Sequence, residues 1–368
     1  MKKIKVGIIF GGKSAEHEVS LQSAKNIVDA VDKTKYEVVL VGIDKQGKWH
    51  INDQTSYLLN EENPKLIQLN KSNENVAIVP GETKHQLIHA SKEISIDQLD
   101  VVFPIVHGTL GEDGSMQGML RIANLPFVGT SVLGSAICMD KDIAKRLLKE
   151  AGINVAKGLA FTRAKKNNID FDEVTAQLNV PLFIKPANQG SSVGVSKVST
   201  KEEFDEAIHA AFQYDHKVIV EENITGREIE CAVLGNADPK ASIPGEILPQ
   251  TEFYSYESKY IDESGAELAI PADLPEETVE KIQAAAIDVF QALECEGLAR
   301  VDFFLKENGE IYVNEVNTLP GFTRISMYPK LWEISGVSYP ELINRLIELA
   351  MERHELDAML KSAVWDEA

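Results

Sequence analysis

The chain has 368 residues, and 57 acidic against 37 basic side chains give it a formal net charge of −20. This acidity disfavours binding to nucleic acid or to an anionic membrane, since both need a basic surface. The length predicts roughly two or three domains. The three cysteines are far apart in sequence and form no metal-binding motif, and no apolar run is long enough for a membrane span or a signal peptide. We therefore expect a globular protein of the reducing cytoplasm.

Apolar strands alternate with helices in the first third of the chain. Ser20 is predicted to cap a helix that follows the glycine pair at residues 11–12. The predicted strands are residues 5–10, 36–43 and 100–106. Such alternation is typical of a parallel sheet covered on both faces, and we assign it to an N-terminal α/β domain of residues 1–124. Residues 52–96 are polar and carry no predicted elements.

The rest of the chain predicts mixed α+β structure in two further domains. In the central domain, residues 125–215, Asp140 is predicted to cap a helix, and a strand at residues 182–186 leads into the Gly/Ser-rich loop 187–194. In the C-terminal domain, residues 216–368, two long helices flank five predicted strands. The predicted fold therefore combines α/β and α+β domains.

Residues 7–14 (GIIFGGKS) match the phosphate-loop pattern G-x-x-x-x-G-K-[S/T]. That loop must begin where a strand ends, whereas Gly7 lies inside an apolar run, and no helix is predicted directly after Lys13. We favour instead a glycine-rich turn that brings the backbone close to a ligand, with Glu16 and His17 beside it.

The hairpin at residues 298–317 is the most informative part of the sequence. An Asn-Gly pair at residues 308–309 predicts a two-residue type I′ turn, in which the numbers of paired residues add up to 617. Asp302 would then face Glu315, and Arg300 would face Asn317, all on one face of the sheet. Two carboxylates and an amide suit Mg²⁺. The alternative is a solvated polar face.

Three other segments carry candidate groups. Lys185 ends an apolar strand before the loop 187–194, a pattern that suits phosphate binding, although such loops often only turn the chain. His107 follows a strand of the N-terminal sheet, where ligands collect, or is a structural turn residue. Residues 253–260 contain three tyrosines and Lys259, and would form a surface loop or a lid that excludes water.

Seven motifs together resemble the D-alanine–D-alanine ligases of the ATP-grasp superfamily. They occur in the family's order and span nearly the whole chain, which makes the set far more specific than any single motif. The motifs are GGKSAEHEVS (11–20), HGTLGEDGSMQG (107–118), FIKPANQGSSVGVSKV (183–198), GREIE (226–230), ESKY (257–260), ARVDFF (299–304) and NEVNTLPGFTRISM (314–327).

The resemblance implies a three-domain ATP-grasp fold, with ATP between the sheets of the central and C-terminal domains. The carboxylate of a first D-alanine would attack the γ-phosphate of ATP, and the amine of a second D-alanine would then displace phosphate from the acyl phosphate. The product, D-alanyl-D-alanine, would serve peptidoglycan synthesis. The resemblance also implies Mg²⁺, with Mn²⁺ as a substitute, and a homodimer. The alternative is a related ligase that uses D-lactate or D-serine as its second substrate.

The resemblance assigns roles at the first substrate. Glu16 would hold the ammonium group of the first D-alanine, in a hydrogen-bonded set with Ser191 and Tyr260. His107 would lie near the carboxylate of that substrate. Tyr260 favours the dipeptide product, because relatives that make D-alanyl-D-lactate differ in this lid.

The ATP and metal contacts follow from the same motifs. Phosphates would be bound by Lys141 and Lys185, adenine by Glu221 and Ile224, and ribose by Glu228. Two Mg²⁺ ions would be held by three residues of the hairpin, Asp302, Glu315 and Asn317.

The second half of the reaction has its own implied residues. Arg300 and the Gly321 N–H would bind the oxyanion, while Lys259 and Ser326 would take the carboxylate of the second D-alanine. Met327 would lie beside this second subsite. Since the substrates are anionic, we expect the site to concentrate positive charge.

Overall fold

The computed structural model describes residues 2–72, 74–81, 86–89, 95–249 and 266–361. Three main sheets carry the fold of these residues, each covered by helices. Lys259 and Tyr260 lie outside the described residues. No helix in the described ranges has the length and apolar character needed to cross a lipid bilayer.

The N-terminal region forms a sheet of order β3-β2-β1-β9. Its elements are β1 (Ile4–Gly11), α1 (His17–Ala30), β2 (Tyr36–Ile43), β3 (Trp49–Asn52), β4 (Leu58–Leu59), β5 (Gln68–Leu69), β6 (Val76–Ile78), β7 (Leu87–His89), β8 (Ser95–Asp97), β9 (Val101–Ile105) and α2 (Ser115–Ile122). β1 pairs in parallel with β2 and β9, as predicted, whereas β3 is antiparallel to β2. The polar segment 52–96 contributes two small sheets, β4-β5 and β6-β7-β8.

The course of β1 excludes a phosphate loop at residues 7–14. β1 continues to Gly11, and Gly7 lies within it, paired with Val39 on one side and Val102 on the other. The turn comes after the strand, where Gly11 and Gly12 have φ of +90° and +104°. The preference for a glycine-rich turn beside a ligand site is therefore consistent with the backbone.

Ser20 does not cap α1, so that prediction is wrong. The helix begins at His17, and Ser20 lies fully buried within it. The Ser20 hydroxyl accepts a 2.7 Å hydrogen bond from the Gly11 N–H and donates to the Ile105 carbonyl. It thus ties together the C-terminal ends of β1 and β9, the edge where ligands bind in parallel sheets.

The central region forms an antiparallel sheet of order β10-β13-β11-β12. Its elements are α3 (Val132–Met139), α4 (Lys141–Glu150), β10 (Gly158–Thr162), a 3₁₀ helix (Arg163–Asn168), α5 (Phe171–Leu178), β11 (Leu182–Pro186), β12 (Ser196–Val198), α6 (Lys201–Tyr214) and β13 (Lys217–Glu222). The side chain of Asp140 caps α4, as predicted. β13 pairs with this sheet, although it follows the predicted central domain of residues 125–215.

The C-terminal region forms a sheet of order β17-β16-β14-β18-β19, with β15 on β14. Its elements are β14 (Arg227–Gly235), β15 (Lys240–Ala241), β16 (Gly245–Pro249), β17 (Ala266–Ala269), α7 (Glu276–Ala292), β18 (Gly297–Leu305), β19 (Ile311–Asn317), α8 (Met327–Ile334) and α9 (Tyr339–Ala358). One face of β14 packs in the core with α7. On the other face, Ala232 and Leu234 join a second core, whereas Glu228 and Glu230 make the same face polar farther along the strand.

The turn of the β18–β19 hairpin is longer than predicted. The Lys306 N–H donates to the Glu310 carbonyl at 2.9 Å, so these two residues close a three-residue loop. Gly309 takes the left-handed conformation in this loop, with φ of +85°. The predicted two-residue turn is therefore wrong, and the ladder starts one residue out of the predicted register.

A bulge restores the predicted register at the polar end of this hairpin. The register shifts between Asp302 and Phe303, which leaves Asn314 as the extra residue. Beyond the bulge, Asp302 faces Glu315, and the pair Arg300–Asn317 follows. The predicted placement of these four polar residues on one face is thus confirmed, through two compensating shifts.

Arg353 of α9 ties the C-terminal region to the segment between α2 and α3. Its guanidinium is buried, donates to the Gly129 carbonyl at 2.5 Å and to the Phe127 carbonyl at 2.8 Å, and lies 4.5 Å from the Phe127 ring centre. We expect Arg353→Ala to lower the free energy of unfolding by about 2–4 kcal/mol, because both carbonyls lose their donor. Urea denaturation beside Arg345→Ala, an exposed site on the same helix, tests this. Equal losses in the two variants would contradict it.

Candidate active site

A polar cavity lies where the three main sheets meet. It is enclosed by the turn after β1, the α3–α4 corner, the loop 187–194 and the polar end of the β18–β19 hairpin. Six predicted site residues line it, Glu16, Lys141, Ser191, Arg300, Glu315 and Asn317. Six further lining residues were not predicted, Glu112, Cys138, Met139, Gly190, Val316 and Thr318. Elements from all three regions therefore contribute to one cavity.

Glu16 and Ser191 are in contact, although 175 residues separate them in sequence. The Ser191 hydroxyl donates to Glu16 Oε1, and both side chains are buried. Gly108 leaves room for the carboxylate, since a Cβ there would lie 2.5 Å from Glu16 Oε2. Ser14 holds the loop that carries Glu16, because its hydroxyl accepts from the Glu16 N–H and donates to the His107 carbonyl.

The ring of His107 lies behind the cavity, in contact with protein groups. Its Nδ1 is 3.0 Å from the Leu319 carbonyl oxygen, and its Nε2 is 3.0 Å from Ser23 Oγ. Glu112 Oε1 lies 3.4 Å from Nδ1. Burial raises the pKa of the Glu112 carboxyl above its ordinary value, against the opposing hydrogen bond from His107.

Lys141 joins two walls of the cavity at the start of α4. Its ammonium group donates to the Gln189 carbonyl at 2.9 Å and lies 3.2 Å from Glu315 Oε2. A cation between the Gly/Ser loop and the hairpin carboxylate is suitably placed to bind an anion that enters the cavity.

Lys185 and Lys145 share one buried carboxylate. Glu221, on β13, contacts Lys145 through Oε1 and lies 2.7 Å from the Lys185 ammonium through Oε2. Burial would raise the pKa of Glu221, but the two lysines outweigh it and lower that pKa to about 2. Burial lowers the pKa of Lys145 to about 8, against the attraction of Glu221. The three groups form a buried ion cluster beside the predicted phosphate site.

We expect Glu221→Gln to lower the free energy of unfolding at neutral pH by about 3–5 kcal/mol, since it leaves the charges of Lys145 and Lys185 without this partner. The pKa of Glu221 falls from 4.5 to about 2 on folding, so the contribution is complete above pH 4.5 and is lost as the pH falls toward 2. Urea denaturation across this range should show the gap between wild type and variant closing. The control is Glu206→Gln on the exposed face of α6. A gap that does not change with pH would contradict the assignment.

Arg300 forms ion pairs with Asp302 and Glu230 on the polar face of the C-terminal sheet. Its guanidinium makes two 2.7 Å hydrogen bonds to the two Asp302 oxygens and lies 3.0 Å from Glu230 Oε2. Asn317 Oδ1 accepts a 3.0 Å hydrogen bond from the Leu319 N–H. The two candidate metal-binding carboxylates, Asp302 and Glu315, are thus held by cations, and hard oxygen donors on facing strands suit Mg²⁺.

The remaining predicted residues occupy two other places. Gly321 lies buried in the loop after β19, and Ser326 Oγ accepts a 2.9 Å hydrogen bond from the Thr323 N–H. Met327 packs in the hydrophobic core at the start of α8 and does not line the cavity. Ile224 and Glu228, both half-buried, lie in the β13–β14 connection and on β14.

Two charged residues near the site, Glu230 and Lys145, were not predicted, although the spacing of each from a predicted residue could have indicated it. Glu230 lies two residues after Glu228 in a strand, so it shares its face and reaches Arg300. Lys145 lies one helical turn after Lys141 on α4, which puts the two lysines on the same side of that helix.

Two family models match the chain. The model described as "D-ala D-ala ligase N-terminus" matches residues 5–130, and "D-ala D-ala ligase C-terminus" matches residues 147–348. The sequence is 68% identical to the D-alanine--D-alanine ligase of Shouchella clausii over 100% of both chains. It is 60% identical to D-alanine--D-alanine ligase A of Escherichia coli K12, over 99% of this chain and 100% of that one.

Solved structures with the same fold cover almost the whole chain. The D-alanine-D-alanine ligase from Coxiella burnetii has a TM-score of 0.83 and 39% identity, with 97% of each chain covered. The VanG D-Ala:D-Ser ligase from Enterococcus faecalis has a TM-score of 0.83 and 38% identity, with 95% of this chain and 100% of that one covered. The predicted ATP-grasp fold is confirmed, and the chain belongs to the D-alanine–D-alanine ligase family.

Proposed function

We propose that the protein joins two D-alanine molecules into D-alanyl-D-alanine and converts ATP to ADP and phosphate. The observation that carries the proposal is the cavity itself, which unites Glu16, Lys141, Arg300 and Glu315 from three separate regions. One end offers an anion to an ammonium group, and the other offers cations to phosphate and carboxylate oxygens. Membership of the D-alanine–D-alanine ligase family supports the same substrates.

The first D-alanine binds at the Glu16 end of the cavity. The Glu16 carboxylate accepts hydrogen bonds from the ammonium group, and Ser191 orients that carboxylate through its own hydrogen bond. Tyr260 completes this set in the proposal. His107 enters it through its carbonyl, which holds Ser14 and hence the Glu16 loop.

The phosphoryl-transfer step depends on positioning and on neutralisation of charge. Lys141 and Lys185 hold the phosphates of ATP while the substrate carboxylate attacks the γ-phosphorus, and ADP leaves. The adenosine part is bound by Glu221, Ile224 and Glu228.

Two Mg²⁺ ions, or Mn²⁺ in their place, fit the donors of the hairpin. The ligands would be Asp302, Glu315 and Asn317. The described lining residues of the cavity include three carboxylates and only two cations. The expectation that the site concentrates positive charge is therefore not met, and the excess of negative charge favours the binding of divalent cations. When bound, such ions neutralise the phosphate oxygens during transfer.

The second step forms the peptide bond. The amine of the second D-alanine attacks the acyl carbon, and the tetrahedral intermediate expels phosphate as the C–O bond breaks. Arg300 and the Gly321 N–H stabilise the oxyanion that forms on the former carbonyl oxygen. Lys259 and Ser326 bind the carboxylate of the second substrate, and Met327 lies beside this second subsite.

The product serves as a peptidoglycan precursor, and the enzyme works in the cytoplasm as a homodimer. The partners in this proposal are small molecules, with no nucleic acid and no membrane. The use of D-lactate or D-serine as second substrate is less favoured, since the D-alanine ligases reach 60–68% identity and the D-Ala:D-Ser ligase 38%.

Phosphate release from ATP and Mg²⁺ tests the proposal. We expect release with D-alanine, little with L-alanine, and no added product when D-lactate or D-serine accompanies D-alanine. Product analysis by mass spectrometry identifies the dipeptide. Phosphate release that does not depend on D-alanine would overturn the assignment.

A further inference from the structure

We propose that Ser23 and His107 form a clamp that positions the loop of residues 319–322, which carries the Gly321 N–H. The inference rests on the proposed function, because it gives that N–H a role in peptide-bond formation. Neither side chain lines the cavity, so both act through the loop as positioning residues.

The clamp is a chain of hydrogen bonds through Ser23 and His107. The Phe322 N–H donates to Ser23 Oγ at 3.1 Å, and the same Oγ is hydrogen-bonded to His107 Nε2 at 3.0 Å. The Leu319 carbonyl can only accept, so His107 Nδ1 carries a proton and donates to it at 3.0 Å. The His107 ring therefore bridges the Ser23 hydroxyl and the Leu319 carbonyl, and with them the two ends of the loop.

The clamp makes a hydrogen bond to each end of a four-residue segment. Leu319 is its first residue and Phe322 its last, and Gly321 lies between them. Additional bonds hold the same ends, since Asn317 Oδ1 accepts from the Leu319 N–H and Tyr339 donates to the Phe322 carbonyl. The position of the Gly321 N–H is therefore set by the bonds at both ends of the segment, and of the side chains that make them only Asn317 lines the cavity.

Burial makes the clamp costly to break. Ser23 and Phe322 have 0% of their surface exposed, Leu319 has 2% and His107 has 3%. Water has little access to replace a missing partner, so losing one hydroxyl leaves a buried N–H and a ring nitrogen unpaired. The loop must then shift to satisfy them.

His107 also connects the two substrate ends of the site. Its backbone carbonyl accepts a 2.6 Å hydrogen bond from Ser14, which holds the Glu16 loop, while its ring holds the loop 319–322. One residue thus sets the distance between the group that binds the first ammonium and the group that binds the oxyanion.

The test is the ratio of dipeptide formed to phosphate released by Ser23→Ala, measured beside wild type with ATP, Mg²⁺ and D-alanine. We expect kcat for dipeptide to fall about 10–100-fold, since misplacing a positioned group costs rates of this order. The KM for ATP should stay within about twofold, because phosphate-binding residues are untouched. The ratio should fall below one, as acyl phosphate is lost to water.

Two further variants separate positioning from loss of stability. Val28→Ala removes buried volume from the same helix and core without removing a side-chain hydrogen bond, and it should keep the wild-type ratio. Ser23→Cys keeps the size of the side chain while weakening its hydrogen bonds, and it repeats the test if the alanine variant does not fold. His107→Phe should show the same low ratio, with little added effect of Ser23→Ala in that background.

The outcomes are distinct for the clamp and for the proposed function. Wild-type protein that forms no dipeptide would overturn the proposed function. Wild-type protein that forms dipeptide, together with a Ser23→Ala or Ser23→Cys variant of unchanged kcat and ratio, would overturn the clamp alone. A ratio lowered equally in Val28→Ala would also overturn the clamp.

Discussion

Replacing Glu315 by glutamine is expected to lower kcat by about 10³-fold, because in the proposed reaction its charge would hold divalent cations beside the transferring phosphoryl group. Glu315 faces Asp302 across the hairpin and lies 3.2 Å from the Lys141 ammonium. An amide keeps the size of the side chain but removes the charge that both a lysine and a divalent cation need. Phosphate release at saturating ATP and D-alanine measures the effect.

Two control variants make this result specific. Glu310→Gln changes an exposed carboxylate near the turn of the same hairpin and should leave kcat within about twofold of wild type. Lys13→Ala tests the phosphate-loop alternative and should leave ATP binding intact. If Lys13→Ala abolishes ATP binding while Glu315→Gln keeps normal turnover, the assignment of the site is wrong.

Replacing Arg300 by methionine is expected to lower kcat for dipeptide formation by about 10²–10³-fold, the usual cost of losing an oxyanion donor. The KM for ATP should change little, since Lys141 and Lys185 remain. In the wild-type protein the Arg300 guanidinium lies between Asp302 and Glu230, with three contacts of 2.7–3.0 Å. Steady-state kinetics with separate variation of ATP and D-alanine resolves the two parameters.

Arg300→Lys is the matched comparison for that variant. It keeps the positive charge but cannot reproduce the two parallel hydrogen bonds to Asp302. We expect a kcat between those of wild type and Arg300→Met. A methionine variant with a wild-type rate of dipeptide formation would show that Arg300 does not bind the oxyanion.

The strands near the site could be predicted because their patterns are local. Period-two alternation locates β18 and β19, and it places Arg300 and Asp302 on one face wherever the turn lies. The turn was predicted one residue too short, yet the bulge at Asn314 corrected the register at the polar end. The opposite face of the hairpin, as alternation predicts it, carries apolar side chains such as Val301 and Val316, with Asn314 as its one polar residue, and that exception was a sign of the bulge.

The supporting contacts could not be predicted, because they join residues far apart in sequence. Ser23 meets Phe322 across 299 positions, and Arg353 meets Gly129 across 224. Serine favours the N-cap position, which is why the sequence predicts a cap at Ser20, whereas tertiary contacts with Gly11 and Ile105 determine its role. Helix propensity carries no information about such partners.

The net charge of −20 says little about the cavity. The expected excess of positive charge is not found among its described lining residues, and each cation there contacts a carboxylate, Lys141 at Glu315 and Arg300 at Asp302. Lys185 and Lys145 likewise share Glu221. The substrates and metal ions in the proposed reaction must therefore exchange partners with these ion pairs.

In the proposed reaction, a carboxylate of D-alanine is phosphorylated in this cavity before the peptide bond forms. The direct measurement uses D-alanine labelled with ¹⁸O in its carboxylate, with mass spectrometry of the released phosphate. Because the attacking carboxylate oxygen leaves with phosphorus when the intermediate collapses, we predict one labelled oxygen in each phosphate. Unlabelled phosphate, released while labelled dipeptide accumulates, would contradict the account.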